Sequence, residues 1–205
     1  MNESHQINES KWDRRSQSYD DKRFDYFRFM QKKVISQMDL TENLNILDIG
    51  CGTGWAVMYI TNLLNQNGNF YGIDISSGMV EKAKTNSERL ENVHFIKANA
   101  EELPFNDSYF DKIICTNSFH HYPDPTKVMS EINRVLKSNG RIYILDVTAD
   151  DIFIKWINKK VQNIEQAHVS FYSSRDYQDF FTKSGLKLIK HKRLTYPLKI
   201  HIAEK

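Results

Sequence analysis

The stretch Leu47-Asp48-Ile49-Gly50-Cys51-Gly52-Thr53-Gly54-Trp55 (LDIGCGTGW) decides the fold. An apolar strand, Asn45 to Gly50, runs into three alternating glycines. An amphipathic helical stretch, Trp55 to Leu64, follows at once. Glycine in such a loop tolerates positive φ and lets a ligand approach the backbone closely. The first N–H groups of the helix, which lack intrahelical partners, then face that ligand. A dinucleotide fingerprint reads G-x-G-x-x-G, and its third glycine would fall on Trp55; the spacing here is G-x-G-x-G. Asp48, two residues before the first glycine, would repel a pyrophosphate. It suits a cationic group such as an α-ammonium, directly or through water.

Outward from this loop, short apolar runs alternate with amphipathic ones. Further strands are expected over Asn69–Ile75, Val93–Lys97, Phe110–Thr116 and Arg141–Val147. Helices are expected over Ser76–Arg89, capped by Ser76 or Ser77, and over Thr126–Lys137, ending at Ser138-Asn139-Gly140. Strand–helix alternation with nearly all-apolar strands means a parallel sheet covered on both faces. Ligands then bind at the carboxyl ends of the strands where the order reverses, after the first strand and next to the fourth. Asp74, ending the second strand about 20 residues past the loop, is placed to accept hydrogen bonds from a ribose diol. Asn99-Ala100-Glu101, after the third strand, brings an amide and backbone groups to where a nucleoside base would lie, although Asn99 also reads as a turn residue.

The 205 residues suit one domain, 40% hydrophobic and 26% charged. Residues 1–40 read as a helical N-terminal lid with Phe24, Phe27, Val34 and Met38 on its buried face. Residues 45–147 read as the cofactor-binding core. Residues 149–205 read as substrate-side helices, about Asp151–Ile164 and Ser173–Lys183, followed by a terminal strand pair, Leu186–Leu194 and Tyr196–Ala203. A formal net charge of +2 argues against nucleic acid as partner. The basic stretch Lys183–Lys199 reads as a solvated strand face rather than an RNA or lipid patch. No apolar run reaches membrane-span length. The N-terminus MNESHQINES lacks the plan of a signal peptide, and two cysteines make no disulfide scaffold, so a cytoplasmic setting is expected. No Cys/His cluster has metal-ligand spacing.

Taken in order, LDIGCGTGW, YGIDIS, ANAEELPFNDSYFDKIICTNSFHHYPDP and INRVLKSNGRIYILD resemble the class I S-adenosylmethionine-dependent methyltransferases, in particular the small-molecule branch similar to ubiquinone/menaquinone methyltransferases. The resemblance implies a doubly wound, Rossmann-like α/β fold with seven strands in order 3-2-1-4-5-7-6, the last antiparallel. It implies S-adenosylmethionine as cofactor, S-adenosylhomocysteine as product and a small-molecule methyl acceptor. By the same resemblance, Asp48 and the backbone of Gly50, Cys51, Gly52 and Gly54 would hold the methionine moiety, and Asp74 the ribose. Ile75 and Met79 would pack on adenine, Asn99 and Ala100 would bond its edge, and Glu101 would stand beside them. Asn117 would lie near the sulfonium, and Tyr19 would close over the cofactor. The family often has Asp where Asn99 stands.

Methyl transfer from a sulfonium is an in-line displacement that needs alignment above all. A general base is required only where the acceptor must lose a proton. His120 and His121, just past the fourth strand, are the candidates; on an extended segment they would point opposite ways, so that one at most faces the acceptor. His168, Tyr172 and His121 are candidate acceptor contacts. Trp12, Tyr19, Phe119, Tyr122, Phe171 and Tyr172 could wall an apolar pocket. The competing readings are a non-catalytic, regulatory module that keeps the cofactor fold, and a nicotinamide oxidoreductase, which Trp55 disfavours.

Overall fold

The computed structural model describes residues 3–16, 25–164 and 169–205. Its centre is a seven-stranded sheet: β1 (Leu44–Ile49), β2 (Gly68–Asp74), β3 (Val93–Lys97), β4 (Phe110–Thr116), β5 (Leu136–Val147), β6 (Lys187–Thr195) and β7 (Leu198–Glu204). The order is β3-β2-β1-β4-β5-β7-β6. β7 runs antiparallel to both β5 and β6, and the pairings among β1 to β5 are parallel. This is the expected doubly wound sheet. The order reverses between β1 and its two neighbours, β2 and β4.

Alternation along the strands sends side chains to two separate cores. Ile46, Phe70, Phe95, Ile114 and Tyr143 meet α2 (Asp25–Ile35), α3 (Trp55–Leu63) and α4 (Ser77–Asn86) on one face. Leu47, Ile49, Ile113, Cys115 and Ile144 meet α5 (Pro125–Val135) and α7 (Ser174–Lys183) on the other. Burying each such side chain contributes about 1.5–3 kcal/mol. Two helices stand outside these layers: α1 (Glu3–Ser16), and α6 (Ile152–Ile164), which anchors through buried Ile154. No helix among the described residues is long and apolar enough to cross a membrane.

Two expectations are corrected. Of the residues expected on the buried face of the N-terminal segment, Val34 and Met38 are buried, Phe24 lies outside the described residues, and Phe27 is exposed. Met30 and Ile35 fill the core instead, because α2 presents a 30/34 stripe to α3. α5 ends at Val135 rather than Lys137. Leu136 already pairs with Phe110, and β5 passes Ser138-Asn139-Gly140 as an irregularity with Asn139 left-handed.

Candidate active site

The loop between β1 and α3 is shaped by backbone bonds. The N–H groups of Gly50 and Cys51 both donate to the Ile73 carbonyl at 2.9 Å, which folds the chain over the end of β2. Gly50 has φ +74°, and a Cβ there would sit 2.0 Å from Ser118 Oγ. Gly54, the N-cap of α3, has φ +83°, and its Cβ would meet Phe95 at 2.4 Å. The Cys51 thiol turns into the core, where burial pushes its pKa up, so this residue offers the loop only its backbone.

Asp74 closes the loop from below. Its Oδ2 accepts from Gly52 N–H and its Oδ1 from Ser76 N–H, both at 2.9 Å. Burial raises the carboxyl to about 6, against the lowering effect of those two bonds. Asp48 has no such support. It is 1% exposed, and neither carboxylate oxygen has a hydrogen-bond partner. Burial, with the charge of Asp74 second, pushes it up to about 8. It lies outside the lining of the cleft, so its side chain does not form part of the cleft wall.

A cleft of about 700 Å³, counting space open to solvent, lies over this edge of the sheet. Gly50, Gly52, Asp74, Ile75, Met79, Asn99, Ala100, Asn117 and His121 all line it. Asn99 also ties its own turn, accepting from Glu101 N–H at 3.0 Å. Glu101 sits outside the lining, where its Oε1 accepts from His5 Nε2 and Asp124 N–H, both at 3.1 Å. It joins α1 to the start of α5. Tyr19 and His168 lie outside the described residues.

Sequence reasoning missed how α1 is held across the cleft. Asp13 Oδ1 accepts from Ser76 Oγ at 2.5 Å and from Gly78 N–H at 2.9 Å. Glu9 pairs with Lys97, and Asn8 Nδ2 donates to the His121 carbonyl at 3.0 Å. His5, Asn8 and Trp12 thereby become cleft wall. A second cavity of about 420 Å³ shares Gly50, Gly52, Thr116 and Asn117 with the first and is completed by Phe27, Arg28 and Gln31 of α2. The signal for Arg28 and Gln31 was faint: polar residues at i and i+3 on a helix with an apolar stripe.

On the β4 side, Phe119–His121 form a turn of 3₁₀ helix, not an extended segment. The two imidazoles therefore do not point opposite ways; their centroids are 3.9 Å apart. His121 lines the cleft and meets Trp12 edge-on at 5.3 Å. His120 is held by Asp146 at the end of β5. Its Nδ1 donates to Oδ1 at 2.8 Å and its N–H to Oδ2 at 3.0 Å. Asp146, fully buried, also accepts from Val147 N–H at 2.7 Å. An acid among the apolar residues Ile142–Val147 was its only trace in the sequence. Tyr172 packs with Phe119 and Phe180 outside the cleft, and burial raises its phenol to about 12. Phe119 is core as well, so among the described residues Trp12 and Tyr122 are the expected aromatic walls that reach the cleft. Among the described residues no three His, Cys, Asp or Glu side chains gather as a metal site needs.

Comparison with known proteins agrees with this architecture. The methyltransferase-domain family matches residues 40–194, well over half of the chain. The demethylmenaquinone methyltransferase of Staphylococcus aureus is 31% identical over 125 residues, 61% of this chain and 52% of that protein. The chain thus spans about half the length of the curated relatives it matches. The crystal structure of the YcgJ protein from Bacillus subtilis superposes with a TM-score of 0.72 at 28% identity, covering 82% of this chain and 73% of that one. A Haloferax volcanii putative methyltransferase, solved in complex with the Trm112 methyltransferase activator, shares the fold with a TM-score of 0.81 at 18% identity, over 94% of this chain and 96% of that one. With its strand order, glycine loop and matched span, the chain belongs to the methyltransferase-domain family, in the class I S-adenosylmethionine-dependent fold.

Proposed function

We propose that this chain transfers a methyl group from S-adenosylmethionine to a small-molecule acceptor, in a cytoplasmic setting. The observation that carries the reading is the pair of acids under one glycine loop. Asp74 is fixed by two backbone donors at the cleft wall, and Asp48 is buried beside it with no partner at all. A diol suits the first. A cationic group suits the second in its ionised form, whose charge protein atoms leave uncompensated. A pyrophosphate suits neither.

The same reading gives the other cleft residues their parts. Ile75 and Met79 pack on adenine, while Asn99 and Ala100 bond its edge. The Gly50–Gly54 backbone and Asn117 hold the methionine end, and Arg28, in the adjoining cavity, faces its carboxylate. Bound there, S-adenosylmethionine supplies an electrophilic methyl group on a sulfonium. The chain's own contribution is alignment and exclusion of water: α1 covers the cleft through its ties to Ser76, Gly78, Lys97 and His121. Such alignment can supply roughly 7–11 kcal/mol of the barrier. His121 touches the acceptor. Where an acceptor must lose a proton, His121 in the cleft wall is the group placed to take it, and His120, outside the cleft lining with its ring held by Asp146, positions that neighbour. Trp12, His121 and Tyr122 suit an acceptor that is partly apolar or aromatic, in keeping with the demethylmenaquinone enzymes among its relatives.

Isothermal titration tests this. Micromolar binding of S-adenosylmethionine or S-adenosylhomocysteine is expected, with at least about tenfold loss in Asp74→Ala while the fold is retained. Absence of heat with both compounds, or preference for a nicotinamide dinucleotide, overturns the reading. Binding without turnover across a broad acceptor panel would favour a regulatory module.

A further inference from the structure

α6 carries an outer face that the methyl-transfer reading does not use. Ile152 is 86% exposed, Phe153 55%, Trp156 53% and Ile164 83%. At 100° per residue these four fall within a single arc of the helix. Lys160 lies inside that arc, with its ammonium 4.1 Å from the Trp156 ring, and the exposed Lys155 and Lys159 flank it. The helix IFIKWINKKVQNI has no acidic residue. Among the described residues next to it, Asp150 is paired with Lys199 and bonded by Ser174, and Asp151 accepts from the Ile154 N–H and from Tyr196. Tyr196, 52% exposed, extends the face onto the β6–β7 turn, where Arg193 lies 5.9 Å from its ring.

We propose that this face docks on an anionic lipid surface. Apolar and aromatic side chains interleaved with lysines, on a helix lying flat against its domain, match an interfacial helix whose aromatics enter the acyl boundary while the lysines remain among headgroups. The charge selects the occupant. Three lysines and Arg193 outnumber the acids next to them, Asp151 and Glu165, and complement a negative leaflet, each adding attraction close to its surface. A second copy of the same basic face would be repelled. Docking also orients the site. Asn158, on the inner side of α6, bonds the Phe171 N–H at 2.8 Å, and the Val169 N–H donates to the His120 carbonyl at 3.0 Å. The membrane-facing helix is thus joined to the wall beside His120 and His121, and an apolar acceptor could enter from the bilayer side. The docking itself does not depend on the cofactor reading.

Co-sedimentation of the whole chain with vesicles of phosphatidylcholine, with and without phosphatidylglycerol, tests the proposal. Binding is expected only with phosphatidylglycerol present. Phe153→Ser/Trp156→Ser should weaken it at least about tenfold, and Lys155→Glu/Lys159→Glu/Lys160→Glu about a hundredfold. Both variants should keep the wild-type circular dichroism spectrum and S-adenosylhomocysteine titration, which separates loss of docking from loss of the fold or of the cofactor site. Failure to pellet with phosphatidylglycerol vesicles, equal pelleting with phosphatidylcholine alone, or variants that pellet like the wild type overturn it. So does a dimer in sedimentation velocity that the same substitutions dissolve, because a second copy would then be the partner.

Discussion

Two buried acids stand at the carboxyl edge of the sheet, on the strands either side of β4, and the protein treats them in opposite ways. Asp146 on β5 accepts from the His120 N–H, the His120 ring and the Val147 N–H, so it is satisfied before any ligand arrives. Asp48 on β1 is as deeply buried and accepts from nothing. A buried polar group without a partner costs free energy that a native fold tolerates chiefly where function needs it. On the β5 side, where the acceptor is proposed to sit, the protein itself completes the acid's hydrogen bonds. On the β1 side the acid is left without partners, as the proposed binding of a cationic group requires.

The two sides meet where Gly50 packs on Ser118, and the largest effect is expected there. Gly50→Ala places a methyl 2.0 Å from Ser118 Oγ at φ +74°. A left-handed residue with a Cβ costs roughly 1–2 kcal/mol, and the overlap adds to it. Titration should show cofactor affinity lowered about a hundredfold or more. Adding Ser118→Gly should restore part of it, leaving the backbone strain. Equal affinities for wild type and Gly50→Ala would mean that the loop does not approach the ligand.

Removing each acid in turn should change stability with opposite signs. Asp146→Ala strands two backbone N–H groups and an imidazole, and urea unfolding should show a loss of about 3 kcal/mol. Asp48→Asn should stabilise the chain. The folded carboxyl sits at about 8, above its unfolded value, so the fold prefers the protonated acid. That preference contributes fully below about pH 4 and is lost as pH rises through 8. The melting temperatures of wild type and Asp48→Asn should therefore converge near pH 4 and separate by pH 9, with the variant higher. Affinity for S-adenosylmethionine should move the other way. In the wild type it should rise with pH as Asp74 and then Asp48 ionise, and in Asp48→Asn the upper limb should disappear. A flat profile in the wild type would remove Asp48 from the site.

What could be read in advance follows the same division. Strand alternation, the glycine loop and Asp74 are local: each is a residue type at a fixed offset from a strand end, and the structure gathers them in one cleft. The Asp146–His120 pair spans 26 residues, and the ties from Asp13 to Ser76 and Gly78 span more than 60. Such contacts have no period and leave no pattern; they exist only once the sheet order has brought the elements together. The pair His120-His121 misled for a related reason. Two adjacent residues oppose each other on a strand but share a side of a 3₁₀ turn, and SFHHYP contains nothing that distinguishes these conformations. Phe27 misled because an aromatic at helical spacing ordinarily marks a core, whereas α2 turns this one toward the cavity that holds Arg28.

The smallest effect separates two roles at one residue. Asn99 Oδ1 accepts from Glu101 N–H at 3.0 Å, so the residue holds its turn whether or not it also meets a ligand. Asn99→Ala removes both roles and should lower stability by about 1 kcal/mol together with affinity. Asn99→Asp keeps an oxygen for Glu101 and puts a second, charged acceptor where the amide nitrogen stood. Against an amino-group donor on the base, a charge-assisted bond is stronger than a neutral one by roughly 1 kcal/mol. The variant should then bind S-adenosylhomocysteine about three- to tenfold more tightly at unchanged stability. If affinity stays level while Asn99→Ala still loosens the turn, Asn99 belongs to the scaffold, and recognition of the base falls to Ala100 and the apolar walls Ile75 and Met79.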